Sequence, residues 1–261
     1  MNLKTLSNVN TSELLKDINS YKRKPSKTDF YILEGLRCIS QSINNGIVPR
    51  LIVFSKDFQK KKGNEFYLKI KELFPIMIVS DSIFKRLSST ENPAGILALC
   101  VKHNIKLSEI LYSSPLFLLD SIQDPGNLGT IFRTAVATGF AGILLGKGCV
   151  NPYNPKVVRA SLGAIATLPF TFVENIDDTI DKLKKEYSVF AADKRAEKNI
   201  WNFNFSKNKI VFLIGNEANG LAKNTIKKCT ASFKIPLEQA MESLNAAISS
   251  SIIAYEYIRQ Q

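Results

Sequence analysis

Histidine is almost missing from this chain: one residue, His103, in 261. It lies in the polar connector VKHNIK with no nucleophile motif beside it, so Ser-His-Asp chemistry is excluded and the residue reads as a surface side chain. Cysteine is sparse as well. Cys38, Cys100, Cys149 and Cys229 stand far apart without a CxxC pair, which argues against both a zinc site and a disulfide framework and leaves four reduced, partly buried thiols. No metal is expected. Nor is there an apolar run near the ~18 residues of a membrane helix, and the opening MNLKTLSNVNTSELL lacks a signal peptide's apolar core and cleavage site. The expected home is the cytoplasm, with no membrane partner. Any chemistry must then be done with arginine, lysine, carboxylates, amides and hydroxyls.

What is abundant is positive charge: 35 Lys/Arg against 23 Asp/Glu, a net +12. The surplus is uneven, with 18 basic and 10 acidic residues up to position 110 and 17 against 13 thereafter. A polyanionic partner is favoured, and nucleic acid is the commonest one. The clusters Lys22-Arg23-Lys24 with Lys27, and Lys60-Lys61-Lys62, fall in polar stretches and taken singly read as solvated loops.

Two α/β units follow from the patterning. In the first, FYILEG is a strand, Leu36, Ile39 and Ile43 recur at helical spacing up to an Asn-Asn-Gly stop, and LIVF and IMIV are buried strands around a charged helix. Asp81 is expected to cap a further helix before GILALCV. The expected division is a small α/β domain over 1–104, a linker over 105–114 holding a helical turn, and a second domain over 115–261. The second domain opens on LFLL, an unbroken apolar run of the kind found in central parallel strands. Leu128, Ile131, Phe132, Ala135 and Val136 then trace one helix face until Gly139. After the strand GILLG, Asn154-Pro155 starts a helix carrying Val157, Ser161 and Ile165. PFTFV, SVFAA, IVFLI and FKIPL are the remaining strands, and a last helix from about Leu244 aligns Ile248, Ile252, Tyr255 and Arg259.

Two phosphate loops are excluded by inspection. Gly146-Lys147-Gly148 has Asn151 where GxGxxG needs glycine, and the Walker-spaced Gly215 to Gly220 is followed by Leu-Ala instead of Lys-Ser/Thr. What remains is three polar or glycine-bearing segments, each after a buried strand: DPGNLGTIFRTA at 124–135, LIGNEANGL at 213–221 and IPLEQAMESLNAAIS at 235–249. Ligands of open α/β sheets bind outside the carboxyl ends of strands, so the three can converge on one crevice.

In order and spacing these segments resemble the motifs of the SpoU (TrmH-type) branch of the SPOUT RNA methyltransferases. Upstream, FYILEGLRCISQSINNG and NPAGILAL are similar to the small RNA-binding domain that precedes many members. Departures are Thr130, Ala218 and Ala246-Ala247, none of them a residue that the chemistry needs. The resemblance implies an α/β fold whose C-terminal parallel-sheet methyltransferase domain is knotted and follows a small α/β RNA-binding domain. It also implies a homodimer, S-adenosyl-L-methionine as cofactor and a ribose 2′-hydroxyl as acceptor, in ribosomal RNA, above all of the large subunit (23S), before transfer RNA.

By the same resemblance Leu213, Ile214, Gly215, Ile235, Pro236, Leu237 and Leu244 hold the cofactor, with backbone contacts from Gly215, Ile235 and Leu244. Asn127, Arg133, Glu217, Ser243 and Asn245 match its catalytic positions. Guanidinium is never deprotonated in proteins, so phosphate clamping by Arg133 is favoured over base action. Arg37, Lys22, Arg23, Lys24 and Arg159 are candidates for RNA contact. Plainer readings stand beside each: Asn127 as a helix N-cap, Arg133 as a surface charge, Ser243 with Asn245 as the cap of the last helix. A non-catalytic RNA-binding or assembly factor, and a base-directed methyltransferase, remain the alternative functions.

Overall fold

Short apolar runs alternating with amphipathic segments produce strands and helices in regular succession in this computed structural model, which describes residues 11–261 apart from 104, 112–113, 207–208, 217–218, 239–240 and 242. The first elements are α1 (Thr11–Arg23), β1 (Phe30–Glu34), α2 (Leu36–Asn44), β2 (Leu51–Ser55), α3 (Lys56–Lys60), α4 (Asn64–Ile70), β3 (Ile76–Val79), α5 (Asp81–Leu87) and β4 (Ile96–Val101). There follow α6 (Leu107–Ile110), β5 (Leu116–Leu119), α7 (Pro125–Ala137), β6 (Gly142–Leu145), α8 (Pro155–Ala160), α9 (Ala164–Thr167) and β7 (Phe170–Phe172). The chain ends with α10 (Ile176–Leu183), β8 (Ser188–Ala192), β9 (Ile210–Ile214), α11 (Lys223–Lys228), β10 (Ala231–Phe233) and α12 (Ala246–Arg259).

Two units separate. The first holds the chain up to His103 together with Asn151–Thr167, and the second holds the remainder. Four strands in the order β1-β4-β2-β3 form the first unit's sheet, antiparallel except for β2 with β3. Every residue of β2 is buried, but Ile76, Met77 and Ile78 of the edge strand β3 are not. This corrects the expectation of a buried IMIV strand, because an edge strand has a neighbour on one side only. The cap of α5 is Ser80, whose hydroxyl accepts from the Ile83 N–H at 3.4 Å, with the expected Asp81 one residue inside the helix.

The domain expected over 115–261 takes in residues 151–167. Residues 151–167 pack with the first unit, where the Tyr31 and Tyr153 rings lie 5.1 Å apart and α8 lies against β1. The single helix expected there is two. Leu162 and Gly163 both take positive φ, and a Cβ on Gly163 would stand 2.8 Å from Ser42 Oγ, so the chain turns sharply where only glycine fits.

In the second unit six strands, all parallel, run in the order β10-β8-β9-β5-β6-β7. Complete burial of β5, β6 and β9 explains their unbroken apolar sequences. Phe212 is the hub of the packing on one face, 5.1 Å from Phe205, 6.2 Å from Phe233 and 6.1 Å from Tyr257 of α12. FKIPL is not a strand: β10 stops at Phe233, and only an isolated bridge from Lys234 to Asn199 continues it. Among the described residues no helix is long and apolar enough to cross a membrane.

Phe212 is wholly buried, so Phe212→Ala should lower the unfolding free energy by about 3–5 kcal/mol, measured as a shift of denaturant midpoint.

Candidate active site

In a parallel sheet all carboxyl ends lie along one edge, and the order β10-β8-β9-β5 sets four of the connecting segments side by side there. A cavity of about 280 Å³ opens among three of them and the start of α12. Its wall includes Asp193, Lys194 and Arg195 after β8, Ile214 to Asn216 and Asn219 to Leu221 at the end of β9, Ile235 and Leu237 after β10, and Ser243, Leu244, Ala246 and Ser249.

Of the residues expected to hold a cofactor, Ile214, Gly215, Ile235, Leu237 and Leu244 line this cavity. Leu213 and Pro236 do not. Leu213 points the other way, into the core with Leu118, Leu144 and Val211, as strand alternation requires of the neighbour of Ile214, and Pro236 is exposed. Gly215 has a steric reason to be glycine, since a Cβ would come within 2.8 Å of the Gly220 carbonyl carbon and of Leu221. The loop folds back on itself there: the Gly220 N–H donates to the Asn216 carbonyl at 2.9 Å and the Asn219 N–H to Asn216 Oδ1 at 3.1 Å. Asn216 Nδ2 then reaches the Ser121 carbonyl at 2.8 Å, tying this loop to the one after β5.

The amides Asn127 and Asn245 meet. Asn245 is the N-cap of α12, its Oδ1 accepting from Ala247 and Ile248 N–H, and its Nδ2 donates to Asn127 Oδ1 at 2.8 Å. Asn127 is not the cap of α7, which corrects the sequence expectation. Asp124 takes that place with Pro125 behind it, accepting the Asn127 N–H at 2.7 Å. Arg133 lies six residues further along α7, about a third of a turn around the axis from Asn127. It is exposed and makes no hydrogen bond or ion pair among the described residues. Ser243 stands in the cavity wall. Glu217 lies outside the described residues.

The proposed RNA contacts divide. Arg23, Lys24, Arg37 and Arg159 are exposed. Lys22 is withdrawn from that set, because its ammonium donates to the Arg86 carbonyl at 3.1 Å and the Ser88 carbonyl at 2.5 Å, securing α1 to the end of α5. Burial pushes the pKa of Lys22 down, and the nearby Glu34 carboxylate opposes the shift. Sequence reasoning missed the segment after β8. Its only signal was a run of charge, Asp193-Lys194-Arg195, directly behind the strand SVFAA.

Comparison with known proteins also divides the chain in two, here as two contiguous stretches. The model of the SpoU rRNA Methylase family matches residues 114–255, and that of an MRM3-like substrate binding domain matches 15–98. An uncharacterized tRNA/rRNA methyltransferase of Synechocystis is 35% identical over 70% of this chain and 67% of its own length. The 23S rRNA (guanosine(2553)-2'-O)-methyltransferase RlmP of Bacillus subtilis is 27% identical over 90% of each chain. The crystal structure of the SpoU methyltransferase AviRb from Streptomyces viridochromogenes in complex with AdoMet superposes with a TM-score of 0.82 at 23% identity, covering 94% of this chain and 97% of that one.

The close approach at Gly215 makes a measurable claim. Gly215→Ala should overpack the folded-back loop and destabilise the protein by about 1–3 kcal/mol, a downward shift of Tm that a glycine on an open loop would not give.

Proposed function

The chain belongs to the SpoU rRNA methylase family, and from that premise we propose that it transfers a methyl group from S-adenosylmethionine to a ribose 2′-hydroxyl of large-subunit ribosomal RNA. The observation that carries this reading is the convergence of the second and third motifs on one cavity, with the Asn127–Asn245 link holding the first motif beside the start of the third motif's helix. The substrate class rests on the relatives in Bacillus and Streptomyces, which are named as 23S rRNA 2′-O-methyltransferases, and on the matched substrate-binding domain.

The cavity suits the cofactor. Ile214, Ile235, Leu237 and Leu244 provide apolar surface for the faces of an adenine, and the main chain around Gly215 and Ile235 provides donors and acceptors for its edge. When bound, S-adenosylmethionine supplies an electrophilic methyl group on a sulfonium. The task left to the protein is to bring a weakly acidic hydroxyl into line with that group. Arg133, exposed and with no partner among the described residues, is suited to hold the phosphate next to the target ribose through its planar fork. It takes no proton. Asn127 and Asn245 fix the two helix starts between which the ribose is to be presented, and Ser243 adds a hydroxyl at the cavity wall.

Three further elements belong to this reading. Ile248, Tyr255 and Ile258 expose an apolar stripe along α12, 50%, 59% and 39% accessible, which supports a homodimer through the second unit. The family's C-terminal knot is taken with it, in keeping with the shared cavity wall of the loops after β9 and β10. A cytoplasmic place accords with four free cysteines.

Arg133→Ala should lower single-turnover methylation of large-subunit RNA on the order of 10²-fold or more, the scale of a positioning group. Cofactor affinity should stay near wild type, and Arg133→Lys should rescue little because the fork is lost. Wild-type rates in Arg133→Ala would remove the assignment. The methyl group should map to an alkali-resistant position, which separates ribose from base methylation. If about five phosphates are contacted, RNA affinity should fall with salt at a log–log slope near ~−3.5, measured by titration across salt concentrations.

A further inference from the structure

Among the described residues of the cavity wall there is one carboxylate, Asp193, and it lies on a segment that none of the three motifs covers. Its position is fixed from both sides of the peptide. The Asp193 N–H donates to the Phe233 carbonyl of β10 at 2.9 Å, and its carbonyl accepts from the Ala196 N–H at 3.0 Å. On the side chain, Oδ1 accepts from Arg195 Nε at 2.9 Å and from the Arg195 backbone N–H at 3.3 Å. Arg195 in turn donates from Nη2 to the Leu221 carbonyl at 3.1 Å, the last residue of the second motif. The carboxylate is thus tied to the glycine loop through one arginine and is only 12% exposed. Its second oxygen, Oδ2, has no partner among the described residues.

On the reading of this cavity as the S-adenosylmethionine site, we propose that Asp193 is the residue that recognises the cofactor's ribose, its Oδ2 accepting from the vicinal hydroxyls, with Arg195 as the positioning residue that sets the carboxylate's orientation. The chemistry favours a diol over the other groups of the molecule. An ionised carboxylate only accepts hydrogen bonds, and a diol offers two donors side by side. The cofactor's ammonium is the competing donor. It is disfavoured because Asp193 is followed by Lys194 and Arg195, both in the cavity wall, so the local charge is net positive and repels a cation while leaving the Oδ2 lone pairs open to a neutral hydroxyl. The adenine edge is matched by main-chain groups of the other two loops. An acid at the end of a strand beside a glycine-bearing loop is also where doubly wound folds read a ribose.

The test is calorimetric titration of the full chain with S-adenosylhomocysteine, its 2′-deoxy and 3′-deoxy analogues and its desamino analogue. Wild type should bind at least one deoxy analogue more weakly than the parent by on the order of tenfold or more, the scale of a hydrogen bond to a charged acceptor. Asp193→Ala should bind the parent more weakly and lose that preference, and Arg195→Ala should narrow it. Equal wild-type affinity for parent and both deoxy analogues overturns the proposal without recourse to any variant. It is overturned equally if Asp193→Ala keeps the wild-type preference, or if the substitution removes discrimination against the desamino analogue instead. Wild type that binds none of the four compounds, while still folded by circular dichroism, refutes the cofactor reading beneath it, a result distinct from all of these.

Discussion

The pairing of β5 with β9 is the constraint on which the site depends. Leu119 stands opposite Ile214 at the end of that pair, and the Asp120 N–H carries the ladder one step further to the Ile214 carbonyl at 2.8 Å. The loops of the first and second motifs therefore leave the sheet at the same level. Both strands are buried on both faces, so a slip in register would unpair Phe117 and Phe212 from their aromatic neighbours as well as strand backbone groups in a water-free interior. Once the register is set, the amide of Asn216 has only to reach the Ser121 carbonyl to make one structure of two loops.

The second constraint is α12, which is secured at both ends. At its start Asn245 caps the helix and joins Asn127. At its end Gln260 donates to the Phe203 carbonyl and accepts the Phe205 N–H at 2.7 Å, and it also donates to the buried carboxylate of Glu256, held ionised by Arg259 at 2.7 Å. That arginine and the Gln260 amide keep the Glu256 pKa below its ordinary value. Between the ends small residues face inward. Ala246, Ala247, Ser250 and Ala254 are buried, and the Ser251 and Thr134 hydroxyls meet at 2.9 Å where α12 packs on α7. Alanine and serine on the buried side let α12 come close to α7, with Ile253 the large aliphatic residue buried beside them and Ile248, Tyr255 and Ile258 left exposed.

That inversion shows what could and could not be read in advance. The central strands β5, β6 and β9 were legible because double burial leaves no polar residue in the run, and the cap of α8 because Asn154-Pro155 permits little else. Asp124 was overlooked as the cap of α7 because Asn127 is an equally good capping residue by type; only the chain's path shows which side chain reaches back. Helical spacing grouped Ile248, Ile252 and Tyr255 correctly, yet periodicity does not say which face is the inner one when the opposite face is small. Main-chain cofactor contacts were legible only through resemblance, since carbonyl and N–H groups are common to every residue. Asp193 was hidden for another reason: its carboxylate is held by Arg195 only two residues on, but the backbone contacts that fix the pair, from Asp193 to Phe233 and from Arg195 to Leu221, lie dozens of residues away in sequence.

Ion pairing divides the basic side chains into two kinds. Lys61, Lys69, Lys209, Lys228, Arg195 and Arg259 each have a carboxylate within 3.2 Å. Arg23, Lys24, Arg37, Arg133 and Arg159 have none among the described residues. Exposed pairs of the first kind contribute little to stability, about 0–1 kcal/mol each, yet each one offsets a positive charge that a phosphate would otherwise meet. An unpaired arginine gives up only water and counterions when a phosphate arrives, and the release of those ions is what drives the association. The net charge of +12 thus overstates some basic clusters of the sequence and understates single residues such as Arg133. Which cations are left without a carboxylate is a property of the fold that a count of lysines and arginines along the chain does not reveal.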